Sequence, residues 1–125
     1  MFKFILLFLF SIISVISYGD NFILNSVSEA TALSEKTKQP ILLIFGSENC
    51  IYCKSLEQDL TNGQLTKAID PYIICYLDLN KDAKLKEDYK INIVPDSRII
   101  DKNIQKTKIV GYNKENYIKW LIDNK

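Results

Sequence analysis

Residues 41–53 read ILLIFGSENCIYC, and this stretch decides the fold. Its first part, ILLIF, is a continuous apolar run with β-branched side chains, which is typical of a strand covered on both faces. Gly46 follows the run and ends the strand. A helix is then predicted from Cys50 to about Leu60, because apolar side chains recur there at helical spacing. The stretch is therefore a buried strand that leads through a short loop into a helix.

The rest of the chain alternates helix and strand signals. A capping box at Ser26 and Glu29 predicts a helix that runs to about Lys38. Downstream, the patterns predict a short helix before Pro71, a second buried strand, a charged helix, a hairpin of two strands and a last helix. The bounds of the last five elements are 72–79, 80–89, 97–101, 107–111 and 113–123. Alternation that ends in a hairpin predicts an α/β domain with a mixed central β-sheet and helices on both faces.

Residues 1–19 read MFKFILLFLFSIISVISYG and are typical of a secretory signal peptide. Lys3 precedes an apolar run that is short for a membrane span, which needs about 20 residues. Ser17 and Gly19 are small residues placed for a cut before Asp20. The alternative is an uncleaved N-terminal membrane anchor. We therefore expect an exported, periplasmic protein whose folded domain spans residues 20–125.

The composition excludes several classes of function. Of the 125 residues, 47% are hydrophobic and 25% are charged, which is typical of one globular domain. The chain has 16 basic and 15 acidic residues, so it lacks the excess of positive charge that binding to nucleic acid requires. Because the chain has no histidine, it has no Ser-His-Asp triad, no Cys-His pair and no imidazole-ligated zinc site.

The candidate chemistry is the C-x-x-C motif of Cys50 and Cys53, which opens the predicted helix. Unpaired backbone N–H groups and the dipole at a helix N-terminus favour a thiolate, and such placement lowers a thiol pKa from about 8.5 to roughly 3.5–7.5. Cys50 is therefore the candidate nucleophile. Cys53 lies one turn further into the helix and is the candidate resolving thiol, which attacks a mixed disulfide from inside.

Other interpretations of the motif are open at this point. The two cysteines can form a static structural disulfide, or they can bind a soft metal, although the sequence has neither a second C-x-x-C nor a histidine to complete such a site. A c-type haem site requires histidine at the position of Lys54. The third cysteine, Cys75, lies within an apolar strand pattern and is interpreted as a small buried side chain.

Four segments, at residues 40–45, 50–54, 89–95 and 108–112, carry a resemblance to the thioredoxin family. PILLIF and CIYCK, at residues 40–45 and 50–54, resemble the family's central strand and redox helix. YKINIVP at residues 89–95 resembles the approach to its cis-proline, and KIVGY at residues 108–112 resembles its last strand and closing glycine. The resemblance covers nearly all of the chain after the leader and implies the thioredoxin fold.

The resemblance also implies how the site works. Pro95 is expected to be cis and to pack against the motif, and the backbone of Val94 is expected to pair with an extended substrate segment. Tyr52 is expected to donate to the Cys50 thiolate, to present its ring to the substrate, or only to cover the start of the helix. The implied partners are extracytoplasmic proteins with thiols or disulfides and a membrane redox partner, with the protein itself a monomer. No cofactor or metal is expected beyond the redox-active disulfide of Cys50 and Cys53.

The sequence departs from the family pattern around the motif. Asn49 stands where many thioredoxins have tryptophan, and Ile44 stands where many have a buried acid that takes the proton of the resolving thiol. Glu48 is nearer to the motif but is predicted to be solvated. Residues 96–98 read DSR and replace the usual apolar continuation after the proline. This polar segment is expected either to contact the substrate or to form a solvated edge.

These observations favour an exported thiol-disulfide oxidoreductase that reduces or isomerises disulfides through its C-x-x-C pair. Tyr52 as the second spacer residue resembles exported disulfide isomerases and some reductases, whereas Val94 before the proline is shared with some oxidising members of the family. The alternatives are an oxidant that donates disulfides and a chaperone-like module that binds extended peptides without catalysis.

Overall fold

The structure is a computed structural model that describes residues 23–125. The predicted signal peptide and its cut before Asp20 therefore lie outside the described residues. The helices are α1 Val27–Thr37, α2 Ile51–Thr61, α3 Thr66–Ile69, α4 Lys84–Asp88 and α5 Lys114–Asp123. The strands are β1 Ile23–Leu24, β2 Ile41–Gly46, β3 Ile73–Asp78, β4 Asp96–Asp101 and β5 Ile104–Val110. Among the helices of this described part, none combines the length and the apolar character that crossing a membrane requires.

The five strands form one mixed sheet in the order β1-β3-β2-β4-β5. β1, β3 and β2 run parallel, and β4 and β5 form an antiparallel hairpin beside β2. The hairpin turns at Lys102 and Asn103, whose φ angles of 53° and 64° suit a tight turn between twisted strands. The predicted mixed sheet is thus confirmed, and the C-x-x-C motif follows its central strand.

Both faces of the sheet are covered. Every residue of β2 is buried, and its side chains alternate between two core clusters. Leu42 and Ile44 belong to the cluster that includes side chains of α2, α3 and α5. Leu43 and Phe45 belong to the cluster that includes α1 and Ile91. The prediction of helices on both faces is confirmed, and the loop that leaves β2 starts from a strand held on both sides.

The edge strand β1 is the element that no sequence pattern predicts. It is only two residues long, so it shows neither helical nor strand periodicity. It forms because Ile23 and Leu24 pair with Ile74 and Cys75 on β3. The strand therefore exists only through a contact with a segment far along the chain.

The charged helix predicted at residues 80–89 is α4, which is about half as long as expected. The Asp78 carboxylate accepts a hydrogen bond from the Asn80 backbone N–H at 2.8 Å, and the Asp82 carboxylate accepts one from the Lys84 N–H at 3.1 Å. Such local contacts of an aspartate with the backbone two residues on favour turns over helix. They delay the start of α4.

Candidate functional site

The C-x-x-C motif lies at the start of α2, directly after the loop that leaves β2. Cys50 is the N-cap residue, and its sulfur accepts a hydrogen bond from the Cys53 backbone N–H at 3.1 Å. A disulfide joins the two cysteines. Cys50 is partly exposed, whereas Cys53 is fully buried. The motif therefore presents its outer sulfur to an incoming group and keeps its inner sulfur covered.

The start of α2 favours negative charge on the Cys50 sulfur. The first turn contains no acidic residue. The free backbone N–H groups of a helix N-terminus and the positive end of its dipole stabilise an anion at the cap. A thiolate formed at Cys50 on reduction therefore has the Cys53 N–H as a hydrogen-bond donor and the helix dipole as an electrostatic partner.

The loop before Pro95 faces the disulfide. The Val94–Pro95 peptide bond is cis, as the family resemblance implies. The Val94 carbonyl oxygen lies 3.6 Å from the Cys50 sulfur, and Pro95 is buried. The Gly111 N–H donates to the Pro95 carbonyl at 2.8 Å, which joins this loop to the end of β5. The structure thus brings Cys50, Cys53, Val94 and Pro95 together, although the loop and the motif lie far apart in sequence.

Three apolar side chains, two in the motif and one in the loop before Pro95, are exposed to solvent. Ile51 is 78% exposed, and Tyr52 and Ile93 are each 63% exposed. Tyr52 has no hydrogen bond to Cys50 in this oxidised state, and its ring lies at the surface. Ile93 is a candidate contact that the sequence reasoning missed. No local pattern marks it, because residues 93–95 form a bend rather than a strand.

The polar segment after Pro95 lies inside the protein, so both expectations for it are wrong. Asp96, Ser97 and Arg98 are 1%, 0% and 7% exposed. The Tyr117 hydroxyl donates to the Ser97 hydroxyl at 2.7 Å, and the Arg98 Nε donates to the Asp96 carboxylate at 2.9 Å. Because β4 is covered on both faces, its polar side chains are buried with partners rather than exposed to substrate.

The position of the family's buried acid is apolar here. Ile44 is fully buried in the core cluster that includes Leu56 of α2. Glu48 is exposed in the loop, as predicted, and its backbone N–H donates to the Asn80 side chain at 2.8 Å. Neither residue is a buried carboxylate, so neither position supplies the buried base that many thioredoxins have for the proton of the resolving thiol.

A recess of about 440 Å³ lies beside the start of α2. Glu48, Glu57 and Asp78 line it together with Lys54 and Tyr76. Burial raises the pKa of Tyr76, and the nearby carboxylates of Glu57 and Asp78 raise it further. The phenol therefore stays protonated, and the recess presents three carboxylates and a neutral hydroxyl next to the motif.

The third cysteine is separate from the site. Cys75 is fully buried in β3, as predicted, and burial raises the pKa of its thiol to about 11. Within residues 23–125, no three His, Cys, Asp or Glu side chains are grouped so that they could hold a metal ion.

Comparisons with known proteins identify the domain. The family model of the thioredoxin-like domain matches residues 27–125. No curated protein matches the chain. A poplar thioredoxin h is similar in structure, with a TM-score of 0.72 and 16% identity over 84% of this chain and 96% of that one. Trichomonas vaginalis thioredoxin has a TM-score of 0.67 and 19% identity, over 85% of this chain and 100% of that one. A Thermus thermophilus thioredoxin has a TM-score of 0.68 and 15% identity, over 84% of this chain and 88% of that one. At these identities the likeness shows the fold, and the predicted thioredoxin fold is confirmed.

Proposed function

This chain belongs to the thioredoxin-like family and is a thiol-disulfide oxidoreductase, and from that premise we propose that it reduces or isomerises disulfides in proteins outside the cytoplasm. The observation that carries the proposal is the disulfide of Cys50 and Cys53 at the N-terminus of α2, placed against the Val94–Pro95 loop. A purely structural disulfide gains nothing from a partly exposed cysteine at a helix cap, whereas an exchange reaction needs one.

The reaction follows from the unequal exposure of the two sulfurs. In the reducing direction, the Cys50 thiolate attacks one sulfur of a substrate disulfide, the substrate S–S bond breaks, and one substrate thiolate leaves and takes a proton from solvent. The Cys53 thiol then loses its proton to solvent and attacks the Cys50 sulfur. The mixed disulfide breaks, the second substrate thiolate leaves, and the disulfide of Cys50 and Cys53 forms. Two electrons have passed from the protein to the substrate.

Substrate binding is proposed to use the surface around the motif. An extended substrate segment would lie beside the loop and form backbone hydrogen bonds with Val94. Pro95 would pack beneath it, next to the two sulfurs. Tyr52, Ile51 and Ile93 then offer apolar contact to substrate side chains on either side of the reacting cysteine. Exposed apolar side chains grouped in this way are typical of a surface that binds another protein.

Export is proposed from the leader. The pattern of residues 1–19 supports secretion to the periplasm, where disulfides persist in proteins and offer substrates. A reductase in that compartment needs electrons from a membrane redox partner. The N-terminal residue of the protein isolated from its native cell tests this step: Asp20 supports cleavage and export, whereas an intact Met1 in the cytoplasmic fraction contradicts them.

Cysteine substitutions test the exchange reaction. Cys50→Ser is expected to abolish reduction of a peptide disulfide, because the attacking sulfur is lost. Cys53→Ser is expected to trap the mixed disulfide, which a non-reducing gel detects as a shift in mass. Cys75→Ser is the matched control and is expected to keep the full rate. A fully active Cys50→Ser variant contradicts the proposal and favours the chaperone-like alternative.

The reduction potential of the Cys50–Cys53 pair tests the direction of electron flow. We expect a value toward the reducing end, about −270 mV, as in thioredoxin, from equilibration with glutathione or a stronger dithiol. A value near −120 mV, typical of a strong oxidant, would instead make the protein a donor of disulfides.

A further inference from the structure

A buried ion pair lies directly behind the Val94–Pro95 loop. The Arg98 Nε donates to one Asp96 carboxylate oxygen at 2.9 Å, and Nη2 approaches the other oxygen at 3.4 Å. The two residues are 7% and 1% exposed. They are two apart on β4, so both point to the same face of the sheet. Nothing in the exchange reaction uses these charges.

Arg98 also contacts the segments that meet at the site. Its Nη2 donates to the Tyr89 carbonyl at 2.8 Å, and its Nη1 donates to the Gln105 side chain at 3.2 Å. The guanidinium lies 5.4 Å from the ring centre of Phe45 and 5.8 Å from that of Tyr89, within range of cation–π attraction. One side chain therefore joins the end of β2, the end of α4 and the hairpin.

The contacts of Arg98 lie on both sides of the loop at residues 90–95. Tyr89 precedes the loop and Asp96 follows it. Lys90, at its start, has a φ of 55°, which a non-glycine residue adopts only when its surroundings hold it. The middle of the loop is exposed, and it includes Ile93. Within the loop, Ile91 is 3% exposed in the core and Val94 packs against the same cluster, so these contacts and those of Arg98 together set the place of the loop relative to Cys50.

A buried ion pair is a weak source of stability, because desolvation offsets the attraction and an apolar pair of similar volume often serves as well. What such a pair supplies is a defined geometry. We infer that Arg98 and Asp96 are positioning residues that hold the Val94–Pro95 loop at its distance from the Cys50 sulfur. A planar guanidinium suits this role, since its fixed fork reaches a carboxylate and a carbonyl together.

For substrate binding, this inference rests on the proposed function. If the Val94 backbone binds an extended substrate, a loosened loop weakens that binding, while the sulfur chemistry of the motif is unchanged. A small dithiol needs no contact with the loop. We therefore expect KM for a peptide disulfide to rise, whereas the rate at which dithiothreitol reduces the Cys50–Cys53 disulfide stays the same.

The test replaces the pair by apolar residues in one variant, Asp96→Val with Arg98→Met, which leaves no unpaired charge. The matched control is Lys119→Gln with Asp123→Asn, which removes the exposed ion pair of α5. We expect KM for a ten-residue peptide disulfide to rise about tenfold in the first variant only. Both kcat and the rate of reduction by dithiothreitol should stay within about twofold of the wild-type values. Unchanged KM, or equal losses with peptide and dithiothreitol, overturns the inference.

Amide hydrogen exchange provides a readout that needs no activity. The Ile91 N–H donates to the Lys86 carbonyl and the Gly111 N–H to the Pro95 carbonyl, so these amides report the two ends of the loop. Exchange at both amides is expected to be about tenfold faster in the apolar variant than in the wild type. The backbone amide of Cys75 in β3 is the reference and should exchange at an unchanged rate. Unchanged exchange overturns the inference. Faster exchange in the apolar variant, combined with a wild type that reduces no peptide disulfide, means that the positioning holds and the proposed function fails.

A second variant covers the case in which the apolar pair does not fold. Arg98→Lys keeps the positive charge but lacks the fork that reaches Asp96 and the Tyr89 carbonyl together. We expect a smaller rise in KM, about threefold, and faster exchange at Ile91 and Gly111. Wild-type KM and wild-type exchange in this variant overturn the inference.

Discussion

Cys75 differs from Cys50 in each property that governs the reactivity of a thiol. It lies within a strand rather than at a helix cap, and it is fully buried. Burial, and to a smaller extent the negative charge of Glu29, raise the pKa of its thiol to about 11. Because only the thiolate attacks a disulfide, Cys75 takes no part in exchange near neutral pH.

Alkylation tests this difference between the cysteines. With the Cys50–Cys53 disulfide closed, we expect iodoacetamide at pH 8 to leave the folded protein unmodified and to modify Cys75 once guanidinium unfolds it. Mass spectrometry counts the adducts. Rapid labelling of Cys75 in the folded protein would show that its thiol is accessible, against its burial in β3.

The same thiol affects stability at high pH. The folded protein holds the Cys75 proton more tightly than the unfolded chain, because the pKa rises from an ordinary 9.0 to about 11. Its contribution to stability is therefore present below about pH 9 and is lost as the pH rises toward 11. Burial also raises the pKa of the Tyr117 hydroxyl. The protonated hydroxyl therefore contributes stability that is lost only at still higher pH.

At the scale of the element, α2 provides the electrostatics of the site. Its N-terminus points at the Cys50 sulfur, and its first turn carries no acidic side chain. Ile51 occupies the first helical position and is exposed, so a charge can be placed there without disturbing the core. The helix therefore offers a direct way to change the stability of the Cys50 thiolate while leaving the fold intact.

Charge substitutions at Ile51 test the role of the helix terminus. Ile51→Glu is expected to raise the pKa of the Cys50 thiol in the reduced protein, and Ile51→Lys to lower it, each by about 0.3–0.7 unit. The pH dependence of thiolate absorbance near 240 nm measures the shift. Gln58→Glu, near the other end of α2, is the control and should leave the pKa unchanged. Equal shifts from both positions would contradict a local helix effect.

At the scale of the whole molecule, one edge of the sheet is formed by a very short strand, β1. β1 pairs with β3 over two residues, and Leu24 packs on the core cluster that contains Cys75. We therefore expect the folded unit to include β1, which lies before the first long helix.

Removal of β1 tests this domain boundary. A chain that begins at Asn25 is expected to lose about 1–3 kcal/mol of unfolding free energy relative to one that begins at Asp20, because a half-buried leucine and a strand pairing are lost. Urea unfolding measures the difference. Cys75 should also become open to alkylation in the shorter chain. Equal urea midpoints for the two chains would show that β1 contributes nothing to the fold.

The sequence by itself determined the parts that depend on neighbours along the chain. The apolar run of β2, the cap at Ser26, and the C-x-x-C motif at the start of a helix all rest on local spacing, and the structure has them where the sequence predicts them. The choice of an α/β fold follows from the order of these local elements.

Only the tertiary structure decided what lies next to the motif and what is buried. The Val94 carbonyl meets the Cys50 sulfur because the sheet brings two distant segments together. Asp96 and Arg98 are buried since their strand is covered on both faces, whereas their charges alone indicate a solvated segment. Contacts across the sheet depend on the packing of all its strands at once, and that packing has no signature in local spacing.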